Sequence, residues 1–219
     1  MAGYVNSAEY NVITNGSLTF SFNAGAGSNM AILVAAGLKT STSETATSVT
    51  FGGKALAAYR NEGTSSTIRL CYLGLAMPNQ TNDLVISGIT FANLNQGSLS
   101  IASYSGIGSV RDHKEAHTGN PVTTATITSK NLDVVVSALA YTSSSSTGNS
   151  DPSVADAQNQ RQAATHGTGS SWAGSGIGDI AGADAGKTVS WNIDGDGNGY
   201  LDGFSLEPGG GSNQVVWFM

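Results

Sequence analysis

The segment richest in chemistry is Asp194-Gly195-Asp196-Gly197-Asn198-Gly199-Tyr200-Leu201-Asp202. Its side-chain oxygens at alternate positions, with a Gly for the bend and a later Asp, follow the D-x-D-x-N-G order of a calcium loop. A hard cation there would draw on Asp194, Asp196, Asn198, the Tyr200 carbonyl and Asp202. The bidentate Glu that closes such loops is replaced by Ser205, and the flanks Val189-Ser190-Trp191 and Phe204-Ser205-Leu206 read as strands, not helices. Asp-Gly and Asn-Gly are also the preferred dipeptides of a hairpin turn. The turn is the favoured reading, with Ca²⁺ on Asp194, Asp196, Asn198 and Asp202 as the alternative.

His113-Lys114-Glu115-Ala116-His117 spaces its two histidines as a zinc-binding helix face would, but the Glu is at the wrong offset for H-E-x-x-H. With Arg111 and Asp112 beside it, this charged stretch reads as an exposed loop. Gly176-Ile177-Gly178-Asp179-Ile180-Ala181 fits G-x-G-x-x-A without the βαβ context that a dinucleotide needs. No G-x-S-x-G elbow fixes a serine nucleophile, so no catalytic residue is assigned. The single cysteine, Cys71, lies in the apolar run Ile68-Arg69-Leu70-Cys71-Tyr72-Leu73 and reads as a small buried thiol.

The elements that position these residues read as strands. Leu18, Phe20 and Phe22 alternate with hydroxyl residues, the period of a half-buried strand. Met30 to Ala36 is continuously apolar, as in a strand buried on both faces. Ser48 to Phe51, then Gly52-Gly53 and Lys54-Ala55-Leu56, reads as strand, tight turn, strand. Further strands are expected at Thr67–Leu75, Leu84–Ile86, Leu99–Tyr104, Val122–Thr128, Leu132–Tyr141, Val189–Ile193 and Tyr200–Leu206. About ten short strands predict an all-β fold, a single antiparallel β-sandwich or jelly roll. Pro152 to Gln162 is the best place for a turn of helix. Thr142–Ser150 and His166–Gly186, rich in Ser, Thr, Gly and Ala, read as loops, and no internal repeat is apparent. Residues 1–208 form one domain, with 1–16 a candidate N-terminal arm and 209–219 a Gly-rich hinge plus an apolar tail.

Composition supports this. Of 219 residues 29 are Gly, and charged residues make up only 11%. Small, hydroxyl-rich chains are poor helix formers, while 39% hydrophobic content does not fit disorder. A net charge of −6 argues against a phosphate-tracking surface, so nucleic acid is not an expected partner. The start has neither the basic nor the apolar region of a secretory signal. The longest apolar stretch, Met30 to Leu38, is too short for a membrane helix, so no membrane partner is expected.

Several segments together resemble β-sandwich domains of tailed-bacteriophage structural proteins and of bacterial surface proteins. The matching residues are Thr47-Ser48-Val49-Thr50-Phe51-Gly52-Gly53-Lys54-Ala55-Leu56, Leu70-Cys71-Tyr72-Leu73 with Pro78, and Ser103-Tyr104-Ser105-Gly106-Ile107. They continue with Asn131-Leu132-Asp133-Val134-Val135-Val136, Ser190-Trp191 and Phe204-Ser205-Leu206-Glu207-Pro208. The resemblance spans roughly residues 17 to 208 and implies a non-catalytic binding or display module. The expected function is a virion structural protein: a capsid decoration, head-fibre or tail-associated protein docked on a symmetric shell. It would be made in a host cytoplasm and carried on the virion as a homo-oligomer, with a trimer the expected form for a fibre. Its partners would be capsid or other virion proteins. The apolar end Val215-Val216-Trp217-Phe218-Met219, which lies outside the resemblance, either folds back onto its own sandwich or docks on a neighbouring subunit or partner by edge addition. The alternative is a carbohydrate-binding or adhesin-like module stacking glycans on Tyr59, Trp172 or Tyr200.

Overall fold

The computed structural model describes residues 2–12, 17–40, 45–64, 66–88, 96–117, 122–144, 151–168, 171–193 and 198–210. Among them every regular element is a strand. The first half of the chain holds β1 (Gly3–Asn11), β2 (Leu18–Asn23), β3 (Met30–Lys39), β4 (Ser48–Phe51), β5 (Lys54–Ala55), β6 (Ala57–Thr64), β7 (Thr67–Met77), β8 (Thr81–Ser87) and β9 (Gln96–Ser105). The second holds β10 (Ile107–His117), β11 (Val122–Thr123), β12 (Val134–Ser143), β13 (Ser153–Val154), β14 (Asn159–Thr168), β15 (Ser171–Ala181), β16 (Ser190–Asn192) and β17 (Asn198–Pro208).

The strands form four antiparallel sheets stacked as layers, not the single sandwich expected. An outer sheet β2-β8-β4-β5 covers an inner sheet β1-β9-β3-β7-β6. That inner sheet packs face to face on a second inner sheet, β10-β17-β12-β15-β14, which the outer sheet β11-β16-β13 covers in turn. Three apolar cores lie between the layers. In β3 the alternation is complete: Ile32, Val34 and Ala36 face the first outer sheet, whereas Ala31, Leu33 and Ala35 face the second half of the molecule. Burial on both faces is why β3 reads as an unbroken apolar run.

The two halves repeat one topology, contrary to the sequence expectation. Each inner sheet has the order first, last and third strand of its half, then a hairpin, and the outer sheets correspond through β2/β11, β8/β16 and β4/β13. This is the strand order of a jelly roll, formed twice. Register follows suit: Ala31 pairs with Tyr104 where Val134 pairs with Leu206. The edge hairpins are bulged at the same place, between Ala58 and Arg60 in β6 and between Gln160 and Gln162 in β14. Gly97, Leu99 and Ser103 of β9 recur as Gly199, Leu201 and Ser205 of β17. Gly106, at positive φ, joins the repeats.

Three local expectations change. Residues 3–11 of the candidate arm are the edge strand β1, paired with β9. Pro152–Gln162 contains β13 and the start of β14 rather than a helical turn. Most of His166–Gly186 is strand, because its glycines make room for aromatic rings. A Cβ on Gly176 would sit 2.7 Å from the Trp191 ring, and one on Gly174 would run into the ring of Tyr141. The Gly52-Gly53 turn is as expected, with both φ angles positive, as a two-residue hairpin of this twist requires.

Candidate functional site

The His113–His117 segment is not a loop. It lies in β10, paired with β17, so alternate side chains His113, Glu115 and His117 share one side of the strand. Opposite them β6 supplies Arg60, directly after its bulge. The Arg60 guanidinium donates from Nε to Asp202 Oδ2 at 3.0 Å, from Nη1 to Glu62 Oε1 at 2.8 Å and from Nη2 to Glu115 Oε2 at 2.7 Å. Asp202 Oδ1 lies 3.0 Å from His113 Nε2. Burial acts to lower the Arg60 pKa, but Asp202, Glu62 and Glu115 together hold it above its ordinary value. The His113 ring stacks on Phe204 at 4.7 Å, and Tyr59 meets both rings edge-on.

Beside this network, Arg69 and Arg60 both lie over the ring of Tyr200, at 4.5 and 4.7 Å from its centroid, and His117 stacks on the same ring. Arg69 is only 4% exposed. Its Nη2 donates to Thr142 Oγ1 at 3.0 Å, and its buried Nε has no hydrogen-bond partner among the described residues. Burial pushes the Arg69 pKa down, with the Arg60 charge adding to the effect. Lys39, whose Nζ donates to Ser144 Oγ at 3.2 Å, has a pKa lowered by burial and by Arg69. Between the ends of β3, β7, β12 and β17 these groups line a polar cavity of about 270 Å³.

Asp202 and His113 form a pair like the orienting half of a nucleophilic site. The chain's one cysteine, Cys71, lies within reach of Asp202, and burial pushes its pKa well above normal, with Asp202 raising it further. A thiolate is therefore disfavoured there. The arrangement holds charge in place and offers cationic donors to a ligand.

Of the residues proposed for Ca²⁺, Asp194 and Asp196 lie outside the described residues. Asn198 is exposed at the start of β17, and Asp202 is 1% exposed and bonded to Arg60 and His113. Four residues of extended strand separate these two by about 13 Å, too far to share one ion's shell. Tyr59 and Tyr200 are engaged by neighbouring rings and guanidinium groups, while Trp172 is partly buried in β15. Residues 215–219 lie outside the described residues. Sequence reasoning did not single out Arg60, Arg69 or Lys39. The available signal was Arg69, a cation inside the apolar run Ile68–Leu73.

A scan against protein-family models finds no match to this chain, and no curated protein matches it.

Proposed function

We propose that this chain is a non-catalytic structural protein of a virus particle, a decoration, fibre or tail-associated module. The observation that carries the reading is the duplicated jelly roll stacked in four layers, with the central strands of both inner sheets buried on both faces. Jelly rolls recur in viral capsid proteins and in lectins. A stack whose two middle layers are both core is a stiff block suited to display. Its described surface carries a single large exposed apolar side chain, Leu132, which sits in a turn. The segments that resemble phage proteins fall at structurally demanding places. Thr47–Leu56 forms the β4–β5 hairpin, Asn131–Val136 turns into β12, and Phe204–Pro208 ends β17.

Mounting on a symmetric shell calls for closed self-association or a docked partner. Light scattering after size exclusion, on the full chain and on one ending at Pro208, tests this. A closed oligomer that reverts to monomer on truncation is the expected result. A monomer in both forms overturns the self-assembling version of the reading.

A further inference from the structure

The two repeats present equivalent strands to each other, so positions at their interface can be matched one to one, although the sheets lie closer on one side than on the other. Gly37 pairs with Arg69 as Ala140 pairs with Ser175, which makes Ser175 the counterpart of Arg69. Likewise Ser98 and Ser100 of β9 correspond to Tyr200 and Asp202 of β17. On one side of the pseudo-two-fold, Ser98, Ser100 and Ser175 close a neutral, buried hydroxyl chain, with both links at 2.8 Å. On the other side the same positions hold Arg69 over Tyr200, and a cavity opens beside them. The serine side is the close one, with β9 against β14 and β15, whereas the equivalent approach of β17 to β6 and β7 is wider and takes larger side chains. The charged version instead places a buried guanidinium among the lining residues of the cavity, and its Nε has no hydrogen-bond partner among the described residues, a costly state for a charged donor.

From this asymmetry we infer that the cavity lined by Lys39, Thr67, Arg69, Thr142, Ser144 and Tyr200 binds a sugar acid, a hydroxylated carboxylate of monosaccharide size. The two cations supply the charge complement, and no carboxylate is among the described lining residues. A guanidinium fork matches a carboxylate in plane. The lining hydroxyls can both donate and accept, which suits a ring bearing several hydroxyl groups rather than a bare inorganic anion. The volume falls just below the usual range of small-molecule sites, which limits the occupant to one sugar ring. Arg60 does not compete for the ligand, because Asp202, Glu62 and Glu115 already neutralise it. The inference is independent of the particle reading, since ligand binding and solution mass are separate measurements.

The test is a titration of the full ¹⁵N-labelled chain with sodium glucuronate, followed by amide shifts, with glucose, acetate and sulfate as parallel probes. Saturable shifts confined to residues around Lys39, Arg69, Thr142 and Tyr200 are expected with glucuronate, and much weaker ones with the other three. Arg69→Gln should weaken binding by about tenfold or more, as loss of a charged hydrogen-bond donor does. Lys39→Gln, at a more exposed position, gives a second reading if the Arg69 variant does not fold. A chain carrying Asp194→Asn and Asp196→Asn is titrated alongside, because those carboxylates precede Asn198 in sequence. Equal binding of glucose shows that charge is not being read, and equal binding of acetate or sulfate shows that the hydroxyls are not. Binding by the double Asn variant alone would identify an acidic segment of the chain as the native occupant. Any of these three results overturns the inference, as does the absence of any saturable shift.

Discussion

Arg60 and Asp202 belong to different repeats, yet they meet at 3.0 Å with 4% and 1% of their side chains exposed. The pair therefore ties one jelly roll to the other through charge in the middle of the stack. Taking Asp202 away leaves a buried cation and an unanchored His113. Breaking such a pair from one side typically costs about 3–5 kcal/mol. Because Glu62 and Glu115 still reach Arg60, Asp202→Ala should fall near the lower end, about 3 kcal/mol. Replacing both partners, with Arg60→Met and Asp202→Leu together, should cost clearly less than the sum of the single changes. Urea midpoints of the four chains check this. A loss below about 0.5 kcal/mol for Asp202→Ala would put the pair among surface-type ion pairs and refute its structural role.

The acid side of the stability curve is set by Asp133, in the turn that leads into β12. Burial works against its charge, but hydrogen bonds from Arg111, Ser205 Oγ and the Lys130 N–H, with the Arg111 charge, hold its pKa below the ordinary value. Asp112 is depressed in the same direction: burial opposes, and the Thr128 N–H and Lys114 prevail. A carboxylate with a lowered folded-state pKa contributes stability that is complete above the unfolded value, about 3.9. That contribution is lost as pH falls through the folded value. The urea midpoint should therefore be insensitive to these two groups near neutrality and fall as pH is taken below about 4. In Asp133→Asn the fall should be shallower, with about 2–3 kcal/mol already missing at neutral pH because the Ser205 and Lys130 donors lose a charged acceptor. An unchanged acid slope in that variant would count against the assignment.

The inner sheets approach closely at Gly37. A methyl there would sit 2.5 Å from the Tyr141 carbonyl oxygen and also against that of Gly174. Both obstacles are backbone in the facing sheet, so no side chain can rotate away. Gly37→Ala should cost about 3 kcal/mol, the upper part of the overpacking range. Gly53→Ala, which meets open space but keeps a positive φ, should cost only about 1 kcal/mol. Thermal melts of the two variants distinguish steric from conformational cost, and equal losses would contradict the close approach.

The parts of this fold that were legible in sequence are those where one face or both faces of a strand are apolar. Leu18, Phe20 and Phe22 announced a half-covered outer strand, and Met30–Ala36 a strand covered twice. The duplication was hidden because the repeats conserve burial and register while changing residue type. Arg69 stands where Ser175 does, Ser98 where Tyr200 does, and only scattered positions such as Leu99 and Leu201 keep their identity. The sequence of β15 reads as loop because glycine usually weakens strands, whereas here Gly174 and Gly176 are the hollows into which Tyr141 and Trp191 fit. The charged run in β10 reads as an exposed loop because its partners are not local. The partners of His113 and Glu115, Asp202 and Arg60, lie far away in the chain, and no local pattern announces a pairing between sheets.

Cys71 reports whether the two repeats unfold as one body. It is 1% exposed and lies in the middle core, packed with Ala138, Ile177 and Phe204 of the other repeat. Burial pushes its pKa well up, and Asp202 adds to the effect, so the folded protein offers neither access nor thiolate to a thiol reagent. Labelling must then wait for an opening that parts the inner sheets. Because the central strands of both inner sheets are buried on both faces, parting the sheets exposes apolar surface on each repeat and should carry most of the global unfolding cost. The free energy of opening from labelling rates at pH 8 should match that from urea denaturation, and Arg60→Met should lower both together. Labelling that proceeds at a free energy several kcal/mol below global unfolding would show the repeats separating while each stays folded. In that case the Arg60–Asp202 contact would be a hinge clasp rather than part of one cooperative core.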